Sequence, residues 1–125
     1  MRSKVQELAQ LAYECVKQVK GKDFASRYLA YARKLPSMIT YNGLLTTVAF
    51  AKTKAKKEEA WRKLLEHLEK FLSKERIKQD NKDLIEFLSE REVQEYRFIT
   101  KRVLDFSQWL KRVAEGEIED EGKGD

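Results

Sequence analysis

Residues 35–51 read Leu35-Pro36-Ser37-Met38-Ile39-Thr40-Tyr41-Asn42-Gly43-Leu44-Leu45-Thr46-Thr47-Val48-Ala49-Phe50-Ala51, the longest run without a charged side chain in a chain that is 38% charged. A membrane span needs about 20 predominantly apolar residues. This run is shorter and contains Pro36, Asn42, Gly43 and three threonines. It therefore reads as a central, buried helix of a soluble protein. Pro36 suits a first helical turn, which places the helix from Pro36 to about Lys54. Gly43 inside it costs about 1 kcal/mol relative to Ala and marks a close helix–helix approach or a break.

The flanking sequence repeats the helical period. Val5, Leu8, Ala9, Ala12, Val16 and Val19 fall on one face and stop at Gly21, a residue suited to the position just past a helix end. Asp23 is a candidate cap for a second helix carrying Phe24, Tyr28, Tyr31, Ala32 and Leu35 on one side. Downstream, Trp61, Leu64, Leu65, Leu68, Phe71 and Leu72 form a narrow stripe on a fourth helix over 58–73. Residues 74–82 are polar and read as a loop. A short fifth helix holds Leu84, Ile85, Phe87 and Leu88. Ser89 with Glu92 has the spacing of a capping box and predicts a sixth helix from there to Gly116. On it Val93, Tyr96, Ile99, Val103, Phe106 and Leu110 share an arc that Phe98, Leu104 and Trp109 widen, so most of this helix should be covered.

The expected fold is all-α: a single compact domain of about six helices over 1–116, followed by a disordered acidic tail over 117–125. Five glycines and one proline are too few for a turn-rich β sandwich or barrel. The single Cys15 excludes an intramolecular disulfide and fits a reducing, cytoplasmic location. With one Cys and one His67, a Cys/His zinc site within the chain is not available.

The net charge of +5 conceals a polarity. Residues 1–57 carry twelve basic and three acidic side chains, and residues 58–125 carry fourteen and eighteen. Residues 115–125 alone hold six acids and one base, which leaves +10 on everything before them. A basic body of this kind suits a polyanion as partner.

The catalytic inventory is thin. The glycines form neither a phosphate loop nor a dinucleotide fingerprint. Cys15 falls in the apolar arc of the first helix and reads as a small core residue. His67 lies beside the Trp61 stripe, between Glu66 and Glu69, and reads as a half-exposed surface histidine. The acids of the tail could attract a divalent cation only loosely, for want of a rigid frame. No cofactor or metal is expected, and the chain reads as a non-enzyme.

The basic residues are more informative. Lys52, Lys54, Lys56 and Lys57 cluster at a helix junction, with no acid before Glu58. Arg97, Lys101, Gln108 and Arg112, with Asp105 at the edge, line up on the strip of helix six left between apolar positions. Such a line can track a phosphate backbone, although an ordinary solvated face has the same pattern. Tyr28, Tyr31 and Tyr41 offer rings that could stack on bases, but their helical spacing points to packing. A major-groove recognition helix is disfavoured, because 35–51 has no charged side chain to present.

Pro36-Ser37-Met38-Ile39-Thr40-Tyr41-Asn42-Gly43-Leu44 with Val48-Ala49-Phe50 resembles the small helical subunit of the Cmr complex, the type III-B CRISPR RNA-guided effector. Ala12-Tyr13, Trp61, Leu68, Glu95-Tyr96-Arg97 and Trp109-Leu110-Lys111-Arg112 extend the resemblance over roughly 8–114. Tyr41 departs from it, standing where the family pattern has a polar residue, often Gln, and the acidic tail is not part of the pattern. The resemblance implies a non-catalytic subunit that stacks with copies of itself beside the guide-RNA backbone. It implies contact with the backbone and Cas10-type large subunits and help in holding target RNA. Two other classes fit the residues alone: a stand-alone nucleic-acid-binding helical protein and a protein–protein adaptor.

Overall fold

The computed structural model describes residues 1–120. Among these there are six helices and no strand: α1 (Lys4–Val19), α2 (Ala25–Asn42), α3 (Leu44–Ala55), α4 (Glu59–Lys74), α5 (Leu84–Ser89) and α6 (Val93–Glu117). The all-α expectation is borne out. No helix among the described residues is long and apolar enough to cross a membrane.

Helix α1 opens on a capping box, with the Ser3 Oγ accepting from the Gln6 amide at 3.1 Å and the Gln6 Oε1 accepting from the Ser3 amide at 2.8 Å. Gly21, at φ +86°, makes the turn into α2 as its position predicts. Asp23 does not cap α2; Phe24 occupies that position, without a side-chain hydrogen bond.

The segment 35–51 is not one helix starting at Pro36. Helix α2 runs straight through Pro36 and ends at Asn42. Proline's fixed φ is already helical, so its cost is the missing N–H and the crowding of the preceding turn. Leu35, Pro36 and Ile39 are all buried, and that burial outweighs the cost. The chain breaks instead at Gly43, at φ +88° and ψ 159°, a backbone shape open essentially to glycine alone. Gly43 is thus a break, one of the two alternatives that the sequence left open.

A second difference lies at Ser89. It is the last residue of α5, and its hydroxyl donates to the Glu86 carbonyl at 2.8 Å. A Ser still in helical conformation cannot act as the extended N-cap of the next helix, and Glu92 takes that position. Helix α5 has its own cap, Asp83 Oδ2, which accepts from the Ile85 and Glu86 amides at 3.0 and 3.4 Å.

Helices α2 and α6 form the centre, with α1 and α2 packed along α6 and α3 and α4 packed on each other. Ion pairs give the register. Lys20 meets Glu117, while Lys4 and Arg102 share Glu75, so α1 runs parallel to α6. Arg33 meets Glu115 near the opposite end of α6 from Arg97 and Lys101, which share a surface with Thr40, so α2 runs antiparallel to it. The interior is aromatic and aliphatic: Phe71 stacks on Phe106 at 4.7 Å, and Tyr31 stacks on Trp61 at 4.7 Å.

His67 belongs to this interior and not to the surface. It is 2% exposed; its Nε2–H donates to Gln18 Oε1 at 3.0 Å and its Nδ1 accepts from the Tyr28 hydroxyl at 2.7 Å. Burial, with Lys63 and Lys70 nearby, pushes its pKa down to about 4. The stripe geometry placed His67 beside the apolar face, but α1 and α2 close over that side as well. Cys15 is buried as expected, and burial pushes its thiol up to about 12.

The packed body reaches beyond Gly116. Glu117 ends α6, and Ile118 is buried against the core. The remainder of the expected tail, 121–125, lies outside the described residues.

Candidate nucleic-acid interface

The two basic groups sit on different parts of the surface. The α6 group begins beside the α3 N-terminus, because the Tyr96 hydroxyl accepts from the Leu45 amide at 2.9 Å. The lysine cluster lies at the other end of α3, about 14 Å further along at 1.5 Å per residue. The fold does not merge them into one patch.

Within the first cluster, Lys52 is ion-paired to Asp83, the α5 cap, whose carboxyl this contact holds below its ordinary pKa. Lys54 lies 5.5 Å from the centroid of the half-exposed Phe50 ring. Lys56 and Lys57 are exposed at the α3 C-terminus, where cations complement the helix dipole. Lys54, Lys56 and Lys57 therefore remain available to an anion, and Lys52 only in competition with Asp83.

On α6, Arg97 is exposed and meets no carboxylate among the described residues. Lys101 pairs with Asp105 at 2.9 Å. Arg112 lies 5.0 Å over the Trp109 ring, which fixes its guanidinium without neutralising it. Asp105 and Gln108 interrupt the line, so its cations form two groups: Arg97 with Lys101, and Arg112 with Lys111, a cation that the sequence reading did not single out.

Helix α2 turns each group into the wall of a groove. Ser37, Thr40 and Tyr41 face Gln108, Lys111 and Arg112 across about 500 Å³. Ile39 and Thr40 face Arg97, Lys101 and Leu104 across about 350 Å³. Tyr41 is 83% exposed. Packing was the expectation for all three tyrosines; it holds for Tyr28 and Tyr31 and fails for Tyr41, which stands at the last turn of α2 just before the Gly43 break. A free ring beside Arg112 and Lys111 offers a flat surface and positive charge together, the pairing that single-stranded nucleic acid uses.

Helix α6 is also less covered than its apolar arc predicts. Val93 is 62% exposed and Phe98 58%. The cause is register. Lys4, at the start of α1, is level with Arg102, so the first turns of α6 project past α1. Among the described residues no group of three or more His, Cys, Asp or Glu could hold a metal ion.

Residues 4–117 match the CRISPR-associated protein family Cas_Cmr5. The CRISPR system Cmr subunit Cmr5 of Thermus thermophilus is 32% identical over 120 residues, covering 96% of this chain and all of the relative. The Thermotoga maritima protein of the same name is 35% identical over 112 residues, 87% of this chain and 80% of the relative. The crystal structure of a CRISPR-associated Cmr5 family protein from Thermus thermophilus superposes with a TM-score of 0.79, at 30% identity over 94% of this chain and all of that one. The match takes in all six helices, and the chain belongs to the Cmr5 family of CRISPR-associated proteins.

Proposed function

We propose that the chain is a non-catalytic structural subunit of a type III-B Cmr RNA-targeting effector complex, where stacked copies lie beside the guide-RNA backbone and help hold target RNA. The observation that carries this reading is the whole-length similarity to a protein named as a Cmr subunit, with no part of that relative left unmatched. The geometry supports an RNA contact through cations on a rigid scaffold: Arg97, which meets no carboxylate among the described residues, Arg112 stacked on Trp109, and Lys54, Lys56 and Lys57 at a helix end. Phosphate contacts of this kind hold a strand without reading its sequence. A structural role also fits the fate of the two groups best suited to acid–base or nucleophilic work. His67 is held between Tyr28 and Gln18, and the Cys15 thiol is buried and protonated.

One observation favours an adaptor role alongside RNA holding. Val93 and Phe98 are both apolar and exposed near the start of α6, as a protein contact requires. The test is reconstitution of the effector from purified subunits with and without this chain. The proposal expects a shorter or incomplete particle and weaker target binding when the chain is omitted. Unchanged particle size and unchanged target affinity would refute it.

A further inference from the structure

The acidic segment at the end of α6 does not hang free; it lies on cations. Ile118, 7% exposed, anchors it against the α1–α2 turn, where Glu117 and Glu119 line a shallow pocket with Lys20, Gly21 and Lys22. Glu117 pairs with Lys20 at 3.1 Å. Glu115 and Asp120 both reach Arg33, at 3.2 and 3.0 Å. Arg33 is thereby clasped by two carboxylates, whereas Arg97 and Arg112 meet none among the described residues. Arg33 also stands one helical turn before Ser37, which lines the α2–α6 groove together with Arg112 and Glu115. With those carboxylates gone, positive charge would run on from Arg112 past Arg33 to the α1–α2 turn.

We propose that Lys20, Lys22 and Arg33 form a second surface for single-stranded RNA, continuous with the α2–α6 groove, which the chain's own segment 115–120 occupies in the free protein. The inference rests on the RNA-holding reading above. A carboxylate on a guanidinium makes the same charge-assisted hydrogen bonds as a phosphate oxygen, so the segment is an internal stand-in for the strand. The arrangement is displaceable. The Lys20 and Arg33 side chains are 57% and 40% exposed, and exposed ion pairs are individually weak and screened by salt. A strand already held in the groove presents its next phosphates at high effective concentration and displaces the segment.

The experiment compares the full-length chain with its Glu115→Gln, Glu117→Gln, Asp120→Asn variant, using labelled oligouridine over a range of salt concentrations. These isosteric changes keep Ile118 in place, which matching thermal melts verify. The variant should bind on the order of tenfold more tightly at low salt. Its slope of log affinity against log salt should steepen by about 0.7 for each cation released. Adding Lys20→Gln and Arg33→Gln to the variant should abolish the gain. The same two changes in the otherwise unaltered chain, where the segment competes for these cations, should lower affinity by much less than tenfold. A gain that survives the loss of Lys20 and Arg33 is a bulk charge effect and overturns the proposal. No gain, with ordinary binding by the unaltered chain, overturns it and leaves the RNA reading standing. Failure of both proteins to contact RNA, alone and in the reconstituted effector, removes both.

Discussion

The Tyr96 hydroxyl lies 2.9 Å from the Leu45 backbone nitrogen and accepts its hydrogen bond, so α6 supplies the N-terminal cap of α3. Gly43, in the cap position, has no side chain to do this, and one of the unpaired amides of the helix start finds its acceptor 51 residues away in sequence. A local signal is replaced by a tertiary one. Tyr96→Phe keeps the ring and removes only the acceptor, and should cost about 1 kcal/mol. The expected reading is a melting temperature lower by roughly 3–6 °C with unchanged helix content.

Gly43→Ala separates backbone strain from crowding at the same junction. A Cβ there would lie 3.9 Å from the Tyr96 hydroxyl, an ordinary contact, so space is not the obstacle. The backbone φ is +88°, and an L side chain in this region costs about 1–3 kcal/mol. Urea unfolding of the variant should show that loss with an unchanged slope.

The buried His67 makes stability depend on pH in a defined direction. Its folded pKa, about 4, is below the ordinary value of 6.5. The unfolded chain therefore takes up a proton first as pH falls. The contribution is fully present above about pH 6.5 and is lost as pH falls towards 4, by about 3 kcal/mol in all. Protonation puts a hydrogen on Nδ1, facing the Tyr28 hydroxyl, and a charge among Lys63 and Lys70. The difference in urea midpoint between the unaltered chain and His67→Gln should shrink steadily from pH 7 to pH 4. A constant difference would place the imidazole in contact with water.

These residues show where the sequence was legible. The apolar periods of α1, α4 and α6 and the stop at Gly21 follow from chain-local rules and place these helices to within a few residues, although Val5 and Val93 on the expected faces are exposed. Pro36 misled because a helix start and a buried helix interior use the same φ, and only burial of Leu35 and Ile39 decides between them. Ser89 misled because its cap spacing competes with one more turn of α5. His67 and Phe98 failed in opposite directions for one reason. Which neighbours cover a helix face depends on how the other helices pack, and no single helix encodes that packing. Helices α1 and α2 close over His67, while the register of α1 along α6 leaves Phe98 bare. The same holds for the candidate interface. Its cations were legible one by one, but the groove that α2 makes with Lys111, Arg112 and Tyr41 was not.

Val93 and Phe98 project past the start of α1, and their role can be tested apart from folding. Phe98→Ser with Val93→Ser should change the stability of the isolated chain by no more than about 0.5 kcal/mol per site, as for other exposed positions. Incorporation into a reconstituted effector, read by size-exclusion chromatography, should fall. Normal incorporation would leave these side chains without a part in assembly.

Charge reversal distinguishes the two basic groups, because the structure keeps them at opposite ends of α3. Lys101→Glu with Arg112→Glu removes cations from both α2–α6 grooves. Lys54→Glu with Lys57→Glu removes those at the α3 C-terminus, leaving Lys56 and the Asp83-paired Lys52. None of the four is buried, so melting temperatures should move little. Each pair that touches RNA should lower target affinity equally for unrelated sequences, since phosphate contacts carry no base information. It should also flatten the slope of log affinity against log salt by about 0.7 per lost contact. Lys101 starts from an ion pair with Asp105, so its share should be smaller than that of Arg112, which lies over the Trp109 ring and meets no carboxylate among the described residues. Single reversals should therefore rank Arg112 above Lys101. An inverted ranking would place the strand on the Arg97–Lys101 side of the groove, and unchanged slopes for both pairs would make the chain a spacer between proteins.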